Sequence, residues 1–463
     1  MEKTWATAGA DLHLELAGSR SRAAIERALR DAVQGGRLHR GTRLPSSRAL
    51  ARDLGIARNT VAEAYGQLVA EGWLTAVTGS GTQVADRVIE EVPQAAPPPL
   101  ARTIRYDLRA GHPDPSSFPR AAWLAAARRA LNAAPADALG YGDPRGRPEL
   151  RQALASYLAR ARGVRADAER IVICAGFTQA LSLLCQVLAG RGATRLAVEE
   201  YGQRSYPELA AARGLQVRHA PVDSRGAVVA EFADAHAVLL TPAHQFPLGM
   251  AMAAQRRTEA VRWASSAGGL IVEDDYDGEF RYDRQAVGAM QALAPHSVAY
   301  AGTASKTLAP GIRLGWLVLP AQLVGDIAAV KALADRQTST LDQLTLAELI
   351  RSGGYDRHIR RCRLMYRRRR DMLVARVRDQ APRVRVSGVA AGLHAVLELP
   401  AGRDEDDIVE RAAGRGLAVE GLGGYGSRGA ARPHALVIGY GTPPAHAYST
   451  ALARLGATLA DLG

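Results

Sequence analysis

Gly302-Thr303-Ala304-Ser305-Lys306-Thr307-Leu308-Ala309-Pro310-Gly311-Ile312-Arg313-Leu314-Gly315-Trp316 follows one short β-like run, residues 297–301, and leads into another, residues 314–318. A lysine among small hydroxyl residues just past a strand, with an arginine seven residues on, is the donor set that pyridoxal 5′-phosphate requires. The amine condenses with the aldehyde as a Schiff base, while hydroxyls and a guanidinium receive the phosphate. A lone lysine is ordinarily a solvated surface charge, but the Gly, Ser and apolar neighbours of Lys306 argue against that here.

Upstream, Ile271-Val272-Glu273-Asp274-Asp275-Tyr276 ends a strand in acids and a phenol. Asp274 and Tyr276 are two apart and share one side of an extended segment. The carboxylate can pair with a protonated pyridine nitrogen, and the phenol can reach the ring hydroxyl. Taken alone, the same acids suit a metal or a solvated edge equally well. Gly176-Phe177-Thr178-Gln179-Ala180-Leu181 follows another strand and opens a helix, so its backbone N–H groups form an anion site.

Further out, β-like runs at 170–174, 195–198, 237–240, 269–272, 297–301 and 314–318 alternate with Ala-rich helical stretches. That alternation predicts an α/β domain around a mostly parallel sheet. From about residue 382, strand-like segments at 384–386, 393–399 and 435–438 among helices predict a smaller α+β part. Glu90-Glu91-Val92-Pro93-Gln94-Ala95-Ala96-Pro97-Pro98-Pro99 has no apolar periodicity and marks a semi-extended linker, residues 86–105.

Ahead of the linker, Ser46 to Leu54 reads as a short helix with a Ser cap, Gly55 as a turn, and Arg58 to Ala70 as a second helix burying Val61, Tyr65 and Leu68. Residues 73–75 and 82–84, joined through Gly79-Ser80-Gly81, read as a β-wing. Such a second helix presents its first turn to a DNA major groove. Arg48 and Arg58 suit phosphates or a guanine edge, Asn59 an adenine edge and Thr60 a phosphate. Pattern alone also describes a helical protein-interaction module. However, Gly41-Thr42-Arg43-Leu44-Pro45-Ser46-Ser47-Arg48, with Asn59-Thr60-Val61 and Glu71-Gly72-Trp73-Leu74, closely resembles the winged helix-turn-helix of the GntR superfamily. The resemblance implies that residues 1–85 bind double-stranded operator DNA through Arg48, Arg58, Asn59 and Thr60, with the Gly79 backbone in the wing.

Residues 106–463 resemble a fold-type I, aspartate aminotransferase-like domain with a large α/β/α part and a small α+β part, and the two-part chain resembles a MocR-type regulator. That resemblance implies a fixed set of roles. Lys306 is the Schiff-base lysine, Asp274 pairs the pyridine nitrogen and Tyr276 meets the ring hydroxyl. Thr303, Ser305 and Arg313 hold phosphate with the backbone of Phe177 and Thr178. Tyr141 of Tyr141-Gly142-Asp143-Pro144-Arg145-Gly146 reaches the phosphate of a neighbouring subunit, and His244 and Gln245 lie beside the ring. The chain departs from the family pattern at Leu248, where Thr is usual, and at Gln203, where a ring-stacking aromatic is expected and Tyr201 or Tyr206 is the substitute. An effector carboxylate would fall to Arg432 or His434. The implied protein is a homodimeric regulator sensing pyridoxal phosphate or its adduct with an amino compound, with vitamin B6 synthesis genes as targets. The alternative is a working aminotransferase with an appended DNA-binding domain.

Composition fits this reading. The 463 residues are 47% hydrophobic and 23% charged, which excludes a disordered chain. No apolar run approaches the ~20 residues of a membrane span, no signal-peptide core opens the chain, and Cys174, Cys185 and Cys362 form neither a disulfide framework nor a metal-ligand spacing. A cytoplasmic protein without a metal site is expected. The net charge is +13, yet residues 1–85 carry only eleven Lys/Arg against eight Asp/Glu. The densest basic cluster is Arg351 to Arg370, whose Ile359, Leu364, Met365 and Tyr366 predict an amphipathic helix. It reads either as a solvated face with internal ion pairs or as a second phosphate-contacting surface.

Overall fold

Ser46 starts the first helix-turn-helix element by accepting a hydrogen bond from the Ala49 N–H at 3.2 Å, and Gly55 ends it at φ 64°. The computed structural model describes residues 21–77, 79, 81–86, 104–282, 287–427 and 434–460. It divides into two compact units, residues 1–101 and 102–463. Most of the expected linker lies outside the described residues.

The first unit contains α1 (Arg22–Gln34), α2 (Ser47–Leu54), α3 (Arg58–Ala70), β1 (Leu74–Val77) and β2 (Gly81–Val84). Val61, Ala64, Tyr65 and Leu68 of α3 pack with Ile25, Leu29 and Leu50 in one apolar core. β1 and β2 pair antiparallel from Leu74 opposite Val84. The predicted helices and wing are present.

The second unit opens with β3 (Tyr106–Asp107), α4 (Arg120–Ala133) and α5 (Pro148–Arg162). Next come β4 (Ile171–Cys174), α6 (Phe177–Gly190), β5 (Arg195–Glu199), α7 (Ser205–Ala212) and β6 (Gln216–Ala220). A small hairpin, β7 (Val222–Asp223) and β8 (Gly226–Ala227), leads to β9 (Ala237–Leu240), α8 (Ala254–Ala267) and β10 (Leu270–Asp274). β11 (Val298–Thr303), β12 (Gly315–Val318) and α9 (Ala321–Ala334) complete this part.

Among the described residues, seven of these strands form one sheet in the order β4-β12-β11-β10-β9-β5-β6. The pairs β10–β11, β9–β10, β5–β9 and β5–β6 are parallel, whereas β12 runs antiparallel to both neighbours. The reason is the Lys306 segment. Only residues 304–314 separate β11 from β12, and a parallel return needs a crossover of about a dozen or more residues. Gly302 lets the pair close, because Trp316 lies opposite it and a Cβ there would collide with the indole. Nothing in the sequence pattern marks residues 216–220 as a strand. They form the edge strand β6, with Gln216, Arg218 and His219 exposed.

Apolar clusters cover both faces of this sheet, one of them joining Val238 and Ile271 to Ala260 and Ala264 of α8. Another sets Leu181 and Leu184 of α6 against Val198, Leu239 and Val272; a third sets Leu154 and Tyr157 of α5 against Ile173 and Trp316, with Leu346 of α10 (Thr340–Arg351). The long helix α11 (Gly354–Gln380) leads into the smaller part. There β13 (Arg385–Ser387), β14 (His394–Glu398), β17 (Ala435–Gly439) and β16 (Glu420–Gly421) form an antiparallel sheet in that order. α12 (Glu405–Gly414) and α13 (Ala445–Leu459) pack against it through Ile408 and Leu452, while β15 (Leu417–Ala418) pairs with β3. In α11, Ile359 and Tyr366 are buried as expected, but Leu364 is 61% exposed. Five residues beyond Ile359, it has turned about 140° round the helix. None of the described helices is long and apolar enough to cross a membrane.

Candidate functional site

β5, β9 and β10 run parallel and end on one edge of the sheet, where loops converge to make ligand clefts. An open cleft of about 1490 Å³ lies there, lined by Lys306, Asp274, Tyr276, Glu199, Tyr206 and Arg204 among others. The Lys306 amine donates to the Gly111 carbonyl oxygen. Burial pulls this amine below the ordinary lysine value, against the opposing pull of Asp274 and Asp277. Asp274 ends β10 and is 5% exposed. Burial raises its carboxyl well above the usual range, Lys306 opposes that shift, and Asp275, Asp277 and Glu199 reinforce it. A carboxylate in that position gains from any cation placed against it.

The Tyr276 hydroxyl lies 3.1 Å from His244 Nδ1, which is 2.8 Å from Asp277. His244 is buried behind Tyr276, and its Nε2 has no hydrogen-bond partner among the described residues. The Gln245 amide is taken up by backbone. It donates to the Tyr201 and Phe246 carbonyls at 2.8 Å each, and its oxygen accepts from the Leu248 N–H at 3.0 Å. Both residues are expected beside the ring, yet neither lines the cleft. They hold the tyrosine and the loop. His244, Asp277 and His394 bring candidate ligand atoms within 4.8 Å of one another, a grouping the sequence spacing does not suggest. Asp277 already engages one imidazole, and the Pro247 carbonyl, 2.9 Å from His394 Nε2, engages the other. Burial pushes His394 down to about 3, so it is neutral.

Phe177 and Thr178 open α6 behind Gly176 at φ 86°, where a Cβ would stand 3.1 Å from the Arg313 guanidinium. Arg313 itself sits at φ 53° and donates to the Ala175 carbonyl. Left-handed backbone at a non-glycine residue is strained, and here it holds a cation over a helix N-terminus. Thr303 and Ser305 turn onto each other, with hydroxyls 3.0 Å apart and the Ser305 N–H donating to Thr303 Oγ1 at 3.1 Å. Tyr141 is 89% exposed, lies away from this chain's cleft, and has the Arg336 guanidinium 5.7 Å from its ring centre.

In the first unit, Arg58 and Asn59 are exposed in the first turn of α3, Arg48 is exposed on α2, and Thr60 is half-buried. Ala57 caps α3 without a side-chain hydrogen bond, which leaves first-turn N–H groups to a ligand. Gly79 stands in the wing at φ 77°.

Residues 21–84 match the family model described as bacterial regulatory proteins, gntR family, and residues 106–411 match that of aminotransferase class I and II. The chain is 33% identical over 406 residues to the HTH-type transcriptional regulator YdeL of Bacillus subtilis, covering 85% of this chain and 87% of that one. It is 32% identical over 425 residues to the HTH-type pyridoxine biosynthesis transcriptional regulator PdxR of Corynebacterium glutamicum, covering 89% and 90%. The chain belongs to the MocR family of transcriptional regulators.

The MocR-family second unit has the aminotransferase fold. It aligns with an archaeal alanine:glyoxylate aminotransferase at a TM-score of 0.69 and 25% identity, covering 77% of this chain and 91% of that one. Within this MocR chain, Tyr201 is buried with Val396, Leu422 and Val437, whereas Tyr206 rests on Phe177 with ring centres 5.0 Å apart and feels the Asp274 charge. Among the cleft residues that escape sequence reasoning are Arg109, Arg204 and Glu199. Burial raises Glu199 to about 7 even though the Thr241 N–H donates to it at 3.0 Å. Arg204 Nη2 lies 3.6 Å from where a Cβ on Gly424 would stand, and it makes no ion pair among the described residues. No spacing in the sequence singles it out. His434 is exposed and absent from the cleft lining, and Arg432 lies outside the described residues.

Proposed function

We propose that this MocR-family chain binds pyridoxal 5′-phosphate around Lys306 and senses the cofactor, or its adduct with an amino compound, to control vitamin B6 synthesis genes from the cytoplasm. The observation that carries this is the burial of the Lys306 amine facing the Asp274 carboxyl, which moves both away from their ordinary values. The residues present fit the group. Among the described residues Lys306 is the cation that acts on Asp274, Gly176 leaves a cradle between the start of α6 and Arg313, and both features suit a ring nitrogen and a phosphate. Bound there, the cofactor supplies an aldehyde that captures amines and a ring that draws electrons from them.

The chain's own residues do the rest. Lys306 offers an amine that deprotonates more readily than an ordinary lysine, and Asp274 holds a proton at the pyridine nitrogen. Tyr276, steadied by His244 and Asp277, would meet the ring hydroxyl, and Tyr206 would supply the aromatic face that Gln203 lacks. Arg313, Thr303, Ser305 and the N–H groups of Phe177 and Thr178 hold the phosphate, joined by Tyr141 from a second copy in a homodimer. Arg204 is the cation open to an acidic group on the amino compound. Ligand alters DNA binding only to the extent that two conformations of the chain bind it with different affinity. The likeness to the pyridoxine biosynthesis regulator PdxR of Corynebacterium glutamicum supports this choice of target genes.

The intact set of Lys306, Asp274 and Arg313 favours a second reading, a working aminotransferase with a DNA-binding head. One experiment addresses both. Wild-type protein mixed with cofactor should gain a visible absorption band that Lys306→Ala lacks, and a colourless wild type would sink the proposal. Turnover of an amino donor with a keto acid, lost in Lys306→Ala, would favour the enzyme.

A further inference from the structure

α11 holds ten arginines against three aspartates, a surplus of seven, in a chain whose entire surplus is thirteen. Four of the ten are engaged locally. Arg369 is buried and donates to the Tyr440, Gly441 and Pro443 carbonyls and to Asp114. Arg363 donates to the Glu279 carbonyl, Arg361 to the Ser117 carbonyl, and Arg378 pairs with Asp379. Arg357, Arg360, Arg367 and Arg368 are different. All four are exposed, and none has an ion pair or hydrogen bond among the described residues. Asp356, the acid beside them, is engaged by Arg160 at 2.8 Å, which leaves Asp371 as the acid of this part of α11 without an ion pair among the described residues.

Their spacing places the four within an arc of about 100° and along about 16 Å of helix. Like charges three or four residues apart repel one another, and among the described residues Asp371, three and four residues from Arg368 and Arg367, is the acid on that face, one against four arginines. DNA carries one charge per ~1.7 Å of axis, so 16 Å of helix faces about five base pairs of phosphates. The chain's own GntR-type unit is what brings such a polyanion to it. We infer that the exposed arginine face of α11 contacts the phosphate backbone of DNA outside the stretch that the winged helix reads. The contact reads no bases, because arginines on phosphates set affinity and position rather than sequence.

This inference rests on the winged-helix unit holding operator DNA, and its test separates the two. The full chain is titrated with operator DNA across a salt series, using wild type and the triple variant Arg360→Gln, Arg367→Gln, Arg368→Gln. Loss of these contacts should flatten the slope of log affinity against log salt by about 0.9 per contact. Operator and scrambled DNA should weaken by the same factor. Wild type on DNA trimmed of its flanks should show the same flattening, a readout that needs no variant. Arg58→Ala serves as the control and should weaken operator binding alone by roughly 5- to 150-fold. An unchanged slope in the triple variant, with Arg58→Ala still weakened, overturns the α11 contact and leaves the winged-helix assignment standing. An unchanged slope together with unaffected Arg58→Ala overturns both.

Discussion

The two units of this chain place the residues proposed to work in each on opposite sides of a packing boundary. In the winged-helix unit, Arg48, Arg58 and Asn59 stand exposed on helices whose other faces supply the core. In the aminotransferase-like unit, burial moves Lys306, Asp274 and Tyr276 away from their ordinary acidities. DNA is met by donors on a surface and needs no desolvated group. A small cofactor has to be held where water is excluded, so its partners sit in low dielectric with their charges balanced. Mutational damage should therefore be larger and more local to the fold in the second unit than in the first.

The sharpest way to break this comparison is Asp275→Ala. Asp275 accepts from Arg162 at 2.7 and 3.0 Å and from the Tyr300 hydroxyl at 2.8 Å, all buried. Removing one partner of a buried pair costs about 3–5 kcal/mol. Calorimetry should show the second unit's transition lowered and the first unit's unmoved; a joint shift would mean that the units do not unfold separately.

Glu199→Gln is next in size. Burial raises Glu199 to about 7 from 4.5, so the folded chain holds this proton more tightly than the unfolded one. The resulting stability is complete below about pH 4.5 and is lost as pH rises through about 7, amounting to roughly 2–3 kcal/mol. The amide keeps the acceptor that Thr241 uses and cannot ionise. Melting temperature against pH should flatten across that window in the variant, and an unaltered profile would exclude Glu199 as the titrating group.

Ser46→Ala is the smallest test. Loss of the α2 cap should destabilise the first unit by about 1 kcal/mol. The visible band of the cofactor-loaded second unit should not change, and a change there would break the separation from the other side.

Local chemistry made much of this legible. Ser46 and Gly55 bound α2 because a cap and a left-handed turn depend on neighbouring residues only. The strand at 237–240 is continuous apolar sequence buried on both faces, so its bounds are visible from composition. β6 was not legible because an edge strand carries polar residues, and Leu364 was misplaced because a cluster of apolar letters says nothing of helical phase. His244 and Gln245 are expected beside the ring, but neither lines the cleft, and which partners occupy their polar atoms depends on Asp277, Tyr276, Tyr201 and Phe246, scattered over 76 residues of chain.

By itself the sequence determined the two-part organisation and the helix-turn-helix and wing, and it singled out Lys306, Asp274 and Arg313 as the set proposed to hold a cofactor. Each of these rests on residues close together in the chain, where spacing and side-chain chemistry suffice. The tertiary structure alone decided that β12 returns antiparallel past Lys306, that Arg204 and Glu199 share the cleft, and that four arginines of α11 have no partner among the described residues. Those outcomes depend on which distant residues come to lie beside them, and packing determines that.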